Sequence, residues 1–136
     1  KVVHVQDGDS MTVLHNTKSE RLILFGVDCP ELEQAFGEDA RDYTKQLCFQ
    51  KTITVEARGK DRLGRTVANV YLPDGSMLNE DLLKRGLAWW SDKYAPEKRD
   101  WSQMQAKARA ERTGLWSNQK AVAPWIFRNG QKTVQA

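Results

Sequence analysis

Two clusters of carboxylates and one of guanidinium groups stand in the first half of this sequence. The first cluster is Asp7-Gly8-Asp9-Ser10, which puts two acids in or beside a tight turn. Asp-Gly on its own is a common hairpin signal and calls for no chemistry. It is not a helix-loop-helix calcium loop, because Met11 stands where a third oxygen ligand would be required. The second cluster, Asp28-Cys29-Pro30-Glu31, follows the apolar run Ile23 to Val27. There the proline stiffens the strand exit and keeps the chain from re-entering a sheet. Its bland reading is a loop acid capping the next helix. Together the clusters offer Asp7, Asp9, Asp28 and Glu31 plus backbone carbonyls, with no histidine nearby in sequence. All-oxygen, hard and flexible ligation suits calcium better than zinc. The third cluster, Lys60-Asp61-Arg62-Leu63-Gly64-Arg65, is a solvated turn or a place where Arg62 or Arg65 sets its planar fork beside a phosphate.

The elements that must hold these groups follow from spacing. Val2–Val5 and Met11–Leu14 flank the Asp-Gly turn and read as a hairpin. Arg21 to Val27 is a third strand, and Thr52–Val55 and Val67–Leu72 are two more, the last closed by Pro73-Asp74-Gly75. Phe36, Ala40, Tyr43 and Leu47 recur at helical spacing between about Ala35 and Cys48. Asn79 reads as the N-cap of a short helix carrying Leu82 and Leu83, stopped by Gly86. Pro96 opens a longer helix with Trp101, Met104 and Ala108 on one stripe, ending at Gly114. Five strands and three helices make an α+β domain, and a small closed barrel would hide the edges of so few short strands.

With 136 residues, 40% of them hydrophobic and 29% charged, the chain is one domain with a real core. It is read as a single domain over 1–136 with a short C-terminal tail from about 117. In that tail Ala123-Pro124-Trp125-Ile126-Phe127 either packs back on the domain or anchors something else. No apolar run reaches the roughly 20 residues of a membrane span. The net charge of +3 is uneven: from residue 84 onward eleven Lys/Arg stand against four Asp/Glu, so the first 83 residues are net acidic. That segregation suits holding a cation beside a polyanion, or is chance surface patterning. Cys29 and Cys48 show no CxxC spacing and are read as free thiols, with a bridge left open.

The ordered set Asp7-Gly8-Asp9-Ser10, Phe25-Gly26-Val27-Asp28-Cys29-Pro30-Glu31, Asp61-Arg62-Leu63-Gly64-Arg65, Asn79, Gly86-Leu87-Ala88 and Gly114-Leu115-Trp116 resembles the staphylococcal nuclease family. It spans roughly residues 2 to 116. The resemblance implies a five-stranded OB-type β-barrel with three helices, and calcium-dependent cleavage of DNA or RNA with little sequence preference, single strands favoured. It implies that Asp9 and Asp28 ligate calcium directly, that Cys29 lends a backbone carbonyl, and that Asp7 is an outer acid. Glu31 then orients or deprotonates the attacking water, Arg65 contacts the scissile phosphate, and Tyr94 lines the nucleotide site.

Departures from the pattern matter. A second phosphate-binding arginine is expected where this sequence has Ile23. Arg21, two residues earlier on the same strand face, is the nearest substitute, displaced by roughly 6.6 Å. Asp92 replaces a second tyrosine, and Ala95 replaces a basic residue. A slowed enzyme is therefore expected. The alternatives are a catalytically weak or inactive OB-fold module that binds nucleic acid or another protein. Trp89, Trp90, Tyr94 and Trp101 among Lys93, Lys98 and Arg99 would serve stacking on single strands, or are simply packing. The retained acids favour the enzyme, since they repel phosphate and serve no binder. A monomer, secreted or held in the periplasm or cell envelope, is expected from the family.

Overall fold

The computed structural model describes residues 1–134 of the chain. The first hairpin forms as its turn signal predicts. β1 (Val2–Asp7) and β2 (Ser10–His15) pair antiparallel, with Asp7 opposite Ser10 and only Gly8 and Asp9 in the loop. β3 (Lys18–Leu24) pairs antiparallel with β2, placing Ser10 opposite Ile23 and Met11 opposite Leu22. Alternation along β3 turns Leu22 and Leu24 into the core and leaves Ile23 and the exposed Arg21 on the other face. The strand ends sooner than expected. After Phe25-Gly26 a separate two-residue strand, β4 (Val27–Asp28), pairs with β7 (Trp89–Trp90).

Helix α1 (Gly37–Cys48) lies against β1. β5 (Thr54–Lys60) and β6 (Thr66–Tyr71) form the second hairpin, and β6 runs parallel to β3, so the sheet order is β1-β2-β3-β6-β5. The expected closed barrel is not found among the described residues: no ladder joins β1 to β5. The free edge of β1 is taken instead by the connection after α1. Val2 donates to the Lys51 carbonyl at 3.0 Å and accepts from the Gln50 amide at 2.8 Å. β5 stays exposed along its whole length.

α2 (Leu78–Lys84) and α3 (Arg99–Ala110) pack on each other. The fully buried Trp101 of α3 donates its indole N–H to Glu80 of α2 at 2.9 Å, so a large apolar ring is buried without stranding its polar atom. Asn79 is not the cap the sequence suggests. It sits inside α2, fully buried, accepting from the Val70 amide at 3.1 Å and donating to the Phe25 carbonyl at 2.9 Å. The main core gathers Val2, Met11, Leu22, Leu24, Val70, Leu78, Leu82 and Leu83 with Trp101; a smaller one holds Ala108, Leu115 and Trp116.

Among the described residues four α-helices stand where three were expected. The stretch read as a tail from about 117 contains α4 (Pro124–Val134), opened by a proline at its first position, where the missing amide hydrogen costs nothing. α4 packs back on the domain through Trp125, whose ring lies 5.7 Å from that of Trp89; Trp89 in turn lies 4.5 Å from Trp116. No helix among the described residues is long and apolar enough to cross a membrane.

Candidate active site

The β1–β2 turn is held from three sides. The Asp7 carboxylate accepts from the Asp9 amide at 3.1 Å and from the Ser10 hydroxyl at 2.8 Å, which fixes the turn internally. Thr44 of α1 donates its hydroxyl to the Gly8 carbonyl at 2.7 Å. Gly8 itself packs so tightly that a Cβ there would fall 2.7 Å from the Cys29 sulfur and 2.8 Å from the Ala40 methyl. A side chain at position 8 would therefore push the turn off both α1 and Cys29.

Asp9 is the residue that joins the two acidic clusters. Its carboxylate is buried and accepts from the Cys29 backbone amide at 2.9 Å, while its carbonyl accepts from Leu24 at 2.9 Å. Burial, then the neighbouring Asp7 and Asp28 charges, push the Asp9 carboxyl well above the usual carboxylate range. The buried Cys29 thiol is pushed up by burial first and then by the charges of Asp9, Asp7, Asp28 and Glu31. Both cysteines are free and buried.

Asp28 and Glu31 are placed by the β4–β7 pair and the loop that follows it. Asp28 lies opposite Trp89 in that pair. Beyond Pro30, the Glu31 amide donates to the Gln34 side chain at 2.9 Å and the Glu31 carbonyl accepts from the Gln34 amide at 2.8 Å. Gly37 closes this loop from below: a Cβ there would sit 1.9 Å from the Glu31 carbonyl oxygen, which no backbone tolerates. Gln34 also donates to the Val122 carbonyl at 2.8 Å, tying the loop to the approach of α4.

The residue that sequence reasoning missed is Arg128, on α4. Its guanidinium spans both acids, 2.8 Å from Asp28 Oδ2 and 2.6 Å from Glu31 Oε1. A hundred residues separate it from Asp28, so no local pattern could pair them. The available signal was the apolar run 123–127 immediately before it.

The predicted arginines take different positions. Arg65 directly precedes β6, and its guanidinium is held by Asp61 at 2.7 Å, while two amides, those of Leu63 and Arg65, also donate to Asp61. Leu22 lies opposite Thr66 in the parallel pair, so one step back sets Arg21 alongside Arg65. The row Ser10–Ile23–Val67 runs across three strands on that same face, from the acidic turn to within two residues of Arg65. Ile23 thus stands between the acids and the Arg21–Arg65 pair. Arg62 is exposed at the hairpin tip. Tyr94 is 68% exposed with the Lys93 ammonium 5.3 Å over its ring, outside the hydrogen-bond network that joins the acids among the described residues.

No group of three His, Cys, Asp or Glu side chains among the described residues could hold a metal ion alone. A calcium ion does not require one, because it accepts backbone carbonyls and waters as ligands. Asp9, Asp28 and the Cys29 carbonyl would offer oxygen donors only, and a cation beside Asp9 would offset the burial and like charge that disfavour its ionised form. The residues fit the ion.

Comparison with known proteins gives one family. The model of the staphylococcal nuclease homologues matches residues 21–118. A protein of Escherichia coli O157:H7 described as an uncharacterized endonuclease is 37% identical over 129 residues, covering 95% of this chain and 84% of the relative. A micrococcal nuclease of Shigella flexneri is 34% identical over 143 residues, covering 98% and 82%. A staphylococcal-like nuclease of Arabidopsis thaliana is 31% identical over 115 residues, covering 85% of this chain but 35% of the plant protein.

Proposed function

This chain belongs to the staphylococcal nuclease homologues, and from that membership we propose that it is a calcium-dependent endonuclease hydrolysing the phosphodiesters of DNA and RNA with little sequence preference. The observation that carries the reading is the buried Asp9 carboxylate, hydrogen-bonded to the Cys29 backbone and set beside the charges of Asp7 and Asp28. A protein that merely bound nucleic acid would have no use for such a concentration of negative charge.

Asp9, Asp28 and the Cys29 carbonyl would hold the ion, with Asp7 ordering the turn behind them. Bound there, calcium supplies Lewis-acid polarisation of a phosphate oxygen. Glu31 orients the attacking water and accepts its proton. Arg65, pre-set by its bond to Asp61, donates to the oxygens on which charge grows in the transition state. Ile23 contributes no donor to that row of the sheet, so the enzyme is slow, and Arg21 is the nearest compensating group. Tyr94 and Arg62 would contact the bases or the flanking backbone of a single strand. We assign the protein as a monomer acting outside the cytoplasm.

The test is cleavage of plain single-stranded DNA with and without a calcium chelator. Chelation abolishes cleavage, and Arg65→Ala lowers it by about 10²–10³, the usual effect of one transition-state donor. Full cleavage by Asp9→Ala would sink the assignment. If Ile23→Arg leaves the rate unchanged, another group already fills that position.

A further inference from the structure

Four acids crowd this site, and a phosphodiester entering it adds more negative charge. Of the cations described above, Arg65 is held through its Nε by Asp61, and Arg21 lies beside it rather than beside the acids. One guanidinium does reach them. Arg128 forks across Asp28 and Glu31 with contacts of 2.8 and 2.6 Å, and its side chain remains 48% exposed.

We propose that Arg128 is a phosphate-binding residue of this site, resting on Asp28 and Glu31 in the substrate-free protein and turning to the phosphate when substrate enters. The proposal rests on the endonuclease reading and deepens it. Three features of the geometry support it. A phosphodiester drawn toward Asp28 arrives within reach of a side chain already 2.8 Å from that carboxylate. A planar fork that spans two carboxylates is matched equally to two oxygens of one phosphate. The half-exposed side chain has room to turn without disturbing the core, and α4 is held independently through Trp125 and the Gln34–Val122 bond. While Arg128 holds Glu31, the guanidinium covers the Oε1 oxygen at 2.6 Å, and substrate that attracts the guanidinium uncovers it.

The sign of one mutation decides the matter. Arg128→Ala lowers kcat/KM on a single-stranded oligonucleotide by about 10²–10³, Arg128→Lys recovers part of it, and free methylguanidine partly rescues the alanine variant. Without substrate, terbium(III) binding, followed by luminescence sensitised from the nearby tryptophans, tightens in Arg128→Ala because a competing cation is gone. Cleavage that is unchanged or faster in Arg128→Ala overturns the proposal; faster cleavage with tighter terbium binding makes Arg128 a plug. Loss of activity without guanidinium rescue, accompanied by a fall in Tm, overturns it in favour of a structural role. The unsubstituted protein and Asp9→Ala separate the two readings. If the unsubstituted protein does not cleave, the endonuclease reading fails; if Asp9→Ala cleaves fully, the placement of the site at these acids fails; if Asp9→Ala is dead while Arg128→Ala is intact, only this inference fails.

Discussion

Asn79→Ala distinguishes a helix cap from a buried crosslink. The side chain is fully buried, and its amide satisfies the Val70 N–H and the Phe25 carbonyl. Its contacts to the Ala68 carbonyl at 3.4 Å and the Asn69 side chain at 3.3 Å are long and add little. Alanine strands the buried Val70 amide and the part-buried Phe25 carbonyl, each costing about 1–3 kcal/mol, so roughly 4 kcal/mol in all. That is about a thousandfold in the unfolding constant. With an m-value of about 1–3 kcal/mol/M, the urea midpoint falls by about 2 M. A lost cap would cost only about 1 kcal/mol. Equilibrium urea unfolding followed by tryptophan emission measures the difference. A loss near or below 1 kcal/mol would show that Val70 and Phe25 find other partners and that the crosslink argument is wrong.

The other expectations concern the site and its supports. Asp61→Ala frees the Arg65 guanidinium from its bond at 2.7 Å and lowers nuclease activity about tenfold, the loss of one positioning contact of about 1.4 kcal/mol, with Tm nearly unchanged. Gly37→Ala places a methyl on the Glu31 carbonyl; it lowers both Tm and activity, whereas a fully active Gly37→Ala would mean the loop yields without moving Glu31. Burial pushes the Cys48 thiol up to about 12 and Cys29 is pushed up as well, so neither forms the reactive thiolate at pH 8. Ellman's reagent then titrates no thiol in the native protein and two in denaturant.

The parts of the fold legible from sequence were those decided by local chemistry. The Asp-Gly turn specified the first hairpin, and the apolar spacing from Phe36 to Leu47 specified α1, which ends at Cys48 as read. What was misread is decided at long range. Asn79 looks like a cap because asparagine caps helices, yet tertiary hydrogen bonds claim it. Closure of the barrel is a general solution for short strands, but the chain after α1 already occupies the β1 edge. For residues 123–127 the sequence leaves two readings open, and the Trp89–Trp125 contact decides for packing back on the domain. The candidate site was legible as a list of acids, and the link between Asp9 and Cys29 follows from the fold rather than the list. Arg128 had only the apolar run 123–127 before it as a signal, because tertiary packing alone brings it to Asp28.

The Trp89–Trp116–Trp125 cluster gives the protein a built-in optical gauge. Trp89 is the backbone partner of Asp28, and its ring meets edge-on one tryptophan from the turn before α4 and another from α4 itself. Indole emission responds to small changes in neighbouring rings and charges. A cation captured at Asp28, or a shift of the last helix, therefore changes the colour and brightness of the same fluorophore, with no label attached.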